Sequence, residues 1–326
     1  MNEWGKVKKV IVGTATGARY LPDDIGVRQV DYAERGMNVP IPKGAYDQDI
    51  IDEANEDLDN FAKIYTDFGA EVVRPRTGFV DHYLYCPRDN ILTIDDKIIA
   101  SPMSMNCRKT EWQYMCEVTH DLTNSTFTEK DYNNDCIMNK RILATNNYQP
   151  MWDAANILRA GRDILYLLSN TGNQAGAEQL QRLLGPNFTV HILQDVYSFS
   201  HIDTTIALLK PGTALINPSR IKSKDQLPVA MQNWDLIECP EPIDMPFHGL
   251  EAIMSQWTGM NCVSLDEKTV IVQSTQTNLI KILEQKGFTV IPLYMKHQRS
   301  LSGGPHCCTV ELARDYELEY YFDNKY

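Results

Sequence analysis

The sequence predicts an α/β fold in which about five copies of one ββαβ-like unit close radially, like the blades of a pseudo-symmetric propeller. Two observations carry that expectation. The order strand, turn, strand, amphipathic helix, glycine, strand recurs along the chain as a pattern rather than as identity. Residues with chemical capacity fall at one point of different copies, just before the first strand.

In chain order, VKKVIVG reads as a strand and leads to a helix whose Ile50, Ile51, Ala54, Leu58, Phe61, Ile64, Tyr65 and Phe68 share one face. Gly69 ends that helix and AEVVRPR resumes as a strand, while residues 14–49, rich in Gly, Pro and Asp, read as a loop over the site. ILTIDDKIIASPM is a hairpin turning at Asp95-Asp96. AANILRAGRDILYLLS turns at Gly161 and is followed by the helix AGAEQLQRLLG, closed by Gly185, and the strand FTVHILQ. TTIALLKPGTALINPS turns at Pro211-Gly212. The last copy turns at Asp266-Glu267-Lys268 in CVSLDEKTVIVQ, continues as TNLIKILEQKG with Gly287 at the helix end, and finishes as FTVIPLY.

With 326 residues, 43% hydrophobic and 23% charged, the chain has the composition of a soluble globular protein and reads as a single domain, 1–326. A net charge of -12 with no basic stripe argues against nucleic acid as a partner. No apolar run approaches the roughly 20 residues a membrane helix needs. The start, MNEWGKVKKVIVG, lacks the apolar segment of a secretion signal. The expectation is a cytoplasmic protein without a membrane partner; a homodimer is left open. Eight cysteines with no C-x-x-C pair suggest neither a disulfide framework nor a metal site. Cys86, Cys107, Cys116, Cys136, Cys239 and Cys262 read as buried reduced thiols.

Asp89 in CPRDN, Asp153 in PMWDAAN, His201 in FSHIDTT and Ser255 in MSQWTGMN each precede a hairpin, and Cys307 follows the final copy. Cysteine, histidine and carboxylate on separate segments are the parts of thiol nucleophilic catalysis. In SLSGGPHCCTV the neighbour of a nucleophile on a strand faces away from it, which favours His201 over His306 as partner of Cys307 and sends Cys308 into the packing. Gly303 and Gly304 read either as turn residues or as a place where substrate approaches the backbone. Asp89, Asp153 and Asp203 around His201 suit a cationic substrate, since paired carboxylates can hold a planar guanidinium. Arg220 in INPSR reads either as a surface ion pair or as the holder of a substrate carboxylate. An amino acid with a guanidinium side chain fits both ends.

MNEWGKVKKVIVG, CPRDNIL, MWDAANILRAGRDI, SHIDTTIALLKPGTALINPSR, MSQWTGMN and SLSGGPHCCTV, collinear over nearly the whole chain, resemble the arginine:glycine amidinotransferase family of the guanidino-group-modifying, or pentein, superfamily. The resemblance implies a five-bladed α/β propeller with its site on the pseudo-symmetry axis. It implies Cys307 as nucleophile, His201 as general acid/base, Asp153 as its partner, Asp89 and Asp203 as guanidinium holders, and Arg220 and Ser255 as contacts of the amino-acid end. It implies L-arginine as donor, an amine as acceptor and no cofactor or metal. A hydrolase of the same superfamily and a non-catalytic binding propeller are the rival readings. The sequence departs from the glycine-type enzymes at the acceptor side: Ser198-Phe199-Ser200 stands where Asn-Pro-Met precedes the histidine, and Met254 precedes Ser255 where a second serine is usual. Those departures point to an acceptor pocket at Ser198, Phe199 and Ser200 and put glycine in doubt, leaving glycine or another primary amine as the acceptor.

Overall fold

The computed structural model describes residues 1–30, 39–77, 83–95, 97–115, 146–196, 200–245, 247 and 255–322. β1 (Val7–Val12) is followed by α1 (Ile25–Val30) and α2 (Gln48–Asp67), and β2 (Glu71–Val73) returns parallel to β1. Ile50, Ile51, Ala54, Leu58, Phe61 and Tyr65 of α2 are buried, while Ile64 and Phe68 of the expected face are only partly covered. The expected loop of residues 14–49 contains α1, and its described ends are anchored: Ala15, Ala18 and Tyr46 join the same apolar cluster, and Tyr46 Oη donates to Ser300 O at 3.3 Å.

β3 (Ile91–Ile94) and β4 (Lys97–Ala100) form an antiparallel hairpin turning at Asp95; its neighbour at 96 lies outside the described residues. β5 (Ile157–Ala160) and β6 (Asp163–Leu167) pair about Gly161, whose φ of 65° fits a two-residue hairpin turn that a side chain would strain. α3 (Gln174–Leu184) starts where Asn173 Oδ1 accepts the Gly176 N–H at 2.8 Å, and β7 (Thr189–Leu193) returns parallel to β6. β8 (Ile206–Lys210) and β9 (Thr213–Ile216) turn at Pro211-Gly212, and β10 (Asp235–Glu238) returns parallel to β9 after two short 3₁₀ segments in place of a helix. β11 (Val263–Ser264), β12 (Thr269–Gln273), α4 (Thr277–Gln285) and β13 (Thr289–Leu293) repeat the order with a helix.

β14 (Thr309–Arg314) pairs antiparallel with β1. The two ends of the chain therefore build one sheet, β14-β1-β2, with the same pairing order as β5-β6-β7. This refines the sequence reading: Cys307 does not trail the last copy but precedes the first strand of a copy shared by the chain ends. Among the described residues there are five small sheets, four of three strands and one of two.

The first strands lie against one another: β14 on β3, β5 on β8 and β8 on β11. Charge holds them together at the centre. Glu311 on β14, fully buried, accepts two bonds from Arg88 at 2.9 Å and one from Arg159 at 2.7 Å, and Arg314 stands 3.0 Å away. Arg159 on β5 also grips Glu3 at 2.7 and 2.8 Å and donates to Thr93 O of β3 at 3.1 Å. Burial alone would raise the Glu311 carboxyl, but Arg88, Arg314 and Arg159 hold it far below the usual range. Removing one member of such a cluster strands buried charge. Glu311→Ala is therefore expected to destabilise the protein by about 3–5 kcal/mol, measured by urea unfolding; a loss below about 1 kcal/mol would refute the hub.

Candidate active site

Each first strand is preceded by a tight turn, and those turns present the side chains singled out in the sequence. Asp153, His201 and Ser255 stand at the N-caps of the 3₁₀ turns Ala154–Asn156, Ile202–Thr204 and Gln256–Met260, and Asp89 is the last residue of Pro87–Asp89. Residues 305–308 form a fifth turn, with Cys308 N–H donating to Gly304 O at 3.0 Å and Thr309 N–H to His306 O at 3.2 Å.

The turns bring five of the expected residues together. His201 Nε2 lies 3.0 Å from Asp153 Oδ2, and His201 Nδ1 lies 3.5 Å from Asp89 Oδ1. Asp153 Oδ1 accepts the Ser104 N–H at 2.9 Å, which fixes the carboxylate that orients the imidazole. Cys307 Sγ donates to Asp203 Oδ2 at 3.2 Å. Asp89 Oδ2 is ion-paired with Arg108 at 2.7 Å, an arginine the sequence did not single out. Among the described residues, Asp89 Oδ1 and Asp203 Oδ1 accept no hydrogen bond although both are buried. Buried carboxylate oxygens without donors are costly, and a multivalent cationic donor would satisfy them.

The other expected residues are placed as follows. Arg220 Nη1 donates to Thr204 O, Thr204 Oγ1 and Thr205 Oγ1 at 3.1, 2.8 and 2.7 Å, against the turn that carries Asp203. Ser255 Oγ accepts the Trp257 N–H at 3.3 Å. Ser200 is partly buried beside His201; Ser198, Phe199 and Met254 lie outside the described residues, as do Cys116 and Cys136.

One expectation is corrected. Strand alternation would turn His306 away from Cys307, but the two lie in a turn, where a period of two does not apply. His306 Nδ1 reaches the same Asp203 Oδ2 as Cys307, at 3.0 Å. Cys308 does face elsewhere, its thiol donating to Gly303 O at 3.6 Å within the core. Sequence reasoning also missed Asn261, whose side chain contacts Cys307. A signal existed: asparagine closes the turn before the first strand in CPRDN, DAAN and TGMN.

The electrostatics separate the groups. The Cys307 thiol is pushed well above the ordinary thiol range by its hydrogen bond with Cys86, by burial and by the charge of Asp203. Burial would raise Asp203, but His306, His201 and the Cys307 thiol bring it down to about 2. Burial would lower His201, yet Asp89, Asp153 and Asp203 raise it to about 9. Among the described residues no cluster of three or more His, Cys, Asp or Glu is arranged to hold a metal ion, and no helix is long and apolar enough to cross a membrane.

No family model matches the chain. It is 35% identical to inosamine-phosphate amidinotransferase 1 of Streptomyces griseus, over 98% of each chain. It is 30% identical to the mitochondrial glycine amidinotransferase of Gallus gallus, over 99% of this chain and 84% of the relative. The solved structure of inosamine-phosphate amidinotransferase StrB1 from Streptomyces griseus superposes with a TM-score of 0.89 at 34% identity, covering 98% of this chain and 97% of that one.

A raised histidine has a thermodynamic signature. Unfolded histidine titrates near about 6.5, so the folded state holds the His201 proton more tightly, and this stabilisation is complete below about pH 6.5 and lost as pH rises through about 9. The excess melting temperature of wild type over His201→Asn should accordingly be larger at about pH 6 than at about pH 9.5. A difference that stays constant between those two pH values would contradict a protonated His201.

Proposed function

The chain belongs to the amidinotransferase family, and from that premise we propose that it transfers the amidino group of L-arginine to a primary-amine acceptor through an amidino-cysteine on Cys307. The observation that carries this reading is the buried meeting of Cys307, the His201–Asp153 pair, and two carboxylates that each keep one oxygen unbonded. We infer further that residues 1–326 form one domain whose five sheets surround a single axis as a five-bladed propeller. The serial contacts of the first strands and the common position of the reactive turns support that arrangement.

In the proposed first half-reaction arginine binding releases the Cys307 thiol proton to solvent, the thiolate attacks the guanidino carbon, the bond from that carbon to the ornithine nitrogen breaks, and protonated His201 gives its proton to that nitrogen. Ornithine leaves as the amine, and the amidinium stays on sulfur. In the second half-reaction the acceptor nitrogen attacks, neutral His201 takes its proton, and the carbon–sulfur bond breaks to restore the thiolate. The proton count closes, because His201 is protonated at the start and at the end, and the thiol proton given up to solvent when arginine binds returns to sulfur when the guanidino product leaves. A histidine raised to about 9 enters the cycle in the required acid form. Asp89 Oδ1 and Asp203 Oδ1 are the proposed guanidinium acceptors. Arg220 and Ser255 would take the amino-acid end of the donor, and Ser198, Phe199 and Ser200 would face the acceptor.

Acceptor identity is the finer part of the reading. The departures from the glycine-type pattern beside His201, together with similarity to an enzyme named for inosamine phosphate, favour an amine larger than glycine. Ornithine release from arginine, followed over a panel of primary amines with detection of the new guanidino product, tests this; glycine as the best acceptor would overturn it. Citrulline formed from arginine alone would instead indicate a hydrolase.

Substitutions test the assignment of roles. Cys307→Ala is expected to abolish turnover and the arginine-derived mass on the protein, while Cys308→Ala leaves both largely intact. Loss of His201 should slow turnover by about 10²- to 10⁴-fold. Equal losses at both cysteines would remove Cys307 from its assigned role.

A further inference from the structure

The carboxamide of Asn261 is fully buried and meets the Cys307 turn at three points. Its Oδ1 accepts the backbone N–H of His306 at 2.8 Å and that of Cys307 at 3.3 Å. Both partners are donors, so oxygen and not nitrogen must face them; this fixes the amide orientation and aims Nδ2–H at Cys307 Sγ, 3.2 Å away. The thiol proton has its own acceptor in Asp203 Oδ2. Once that proton leaves, sulfur becomes an acceptor, and the Asn261 N–H is already in place.

We propose that Asn261 is a further catalytic residue of this site, one that anchors the nucleophile's turn through Oδ1 and stabilises the reacting thiolate through Nδ2–H. The surroundings are built for it. Asn261 closes the turn that Ser255 opens, its N–H donating to Thr258 O at 3.1 Å, and Gln298 Nε2 braces the same carbonyl at 2.7 Å. A Cβ on Gly304 would stand 2.6 Å from Asn261 Oδ1 and 2.7 Å from its Cβ, so glycine there is what admits the amide against the turn. The side chain thereby joins the segment proposed to hold the amino-acid end of the donor to the sulfur that attacks it.

This inference rests on Cys307 being the nucleophile, and the test separates the two. Asn261→Asp preserves shape and the oxygen facing the two backbone donors but sets a second oxygen against sulfur. Asn261→Ser removes the reach to sulfur and is small enough for the site. The readout is the pH dependence of Cys307 alkylation by iodoacetamide without arginine, resolved by peptide mass, alongside a melting curve. Alkylation of Asn261→Asp is expected to be about tenfold slower or more near neutral pH, with its midpoint moved to higher pH, and Asn261→Ser should fall between it and wild type. A wild-type pH profile in either folded variant overturns the role of Asn261. Wild-type protein exposed to arginine supplies the control: an absent arginine-derived mass on Cys307 defeats the parent reading, whereas a present mass with unaltered alkylation of the variants defeats only this inference.

Discussion

The structure depends on a buried ionic hub at Glu311. One carboxylate on β14 engages Arg88 from the turn before β3, Arg159 from β5 and Arg314 from its own strand, and Arg159 carries the connection on to Glu3. Apolar contact alone would let small sheets slide, because dispersion has little direction. Bidentate arginine–carboxylate pairs impose both distance and angle. They are also costly to assemble, since each charge gives up its water. The hub therefore trades stability for a fixed relation between sheets, and it braces the Cys307 turn directly: Arg88 Nε donates to His306 O at 3.2 Å.

From that fixed centre the site follows by repetition. Every copy places a tight turn at the same end of its first strand, and chemistry is distributed among these turns rather than concentrated on one loop. The imidazole comes from one turn, its orienting carboxylate from another and the thiol from a third, each held by a different sheet. Such a site is only as accurate as the spacing between sheets, which ties the geometry of the candidate site to the hub.

Much of this was legible in the sequence because it is local. Hairpin turns, helix ends at Gly69, Gly185 and Gly287, and the recurring position of Asp89, Asp153 and His201 are set by short-range pattern. What was not legible depends on contacts between distant segments. Glu3 and Glu311 carry no local signal of burial, because their partners are remote in the chain, 223 residues away in the case of Glu311 and Arg88. His306 failed for a different reason: the strand begins at Thr309, so alternation was applied to residues that are not yet extended. Boundaries of two or three residues are where period arguments are weakest.

The magnitudes decide how the proposed nucleophile is switched on. In the free site Cys307 faces Asp203 and Cys86, both of which favour the thiol, and His201 is already protonated, so it cannot take the thiol proton. Asp203, held near 2, accepts a hydrogen bond without keeping the proton. A neutral donor such as the Asn261 amide contributes about 1.5–3 kcal/mol when its acceptor is a thiolate. A guanidinium about 4 Å from sulfur contributes about 4 kcal/mol at the effective dielectric of a protein site. The larger quantity is delivered only with the donor substrate. On the proposed reading Asn261 holds sulfur in place and favours its anion, and binding of arginine drives the thiol proton out to solvent, so a reactive thiolate would exist chiefly when there is an amidino group to attack.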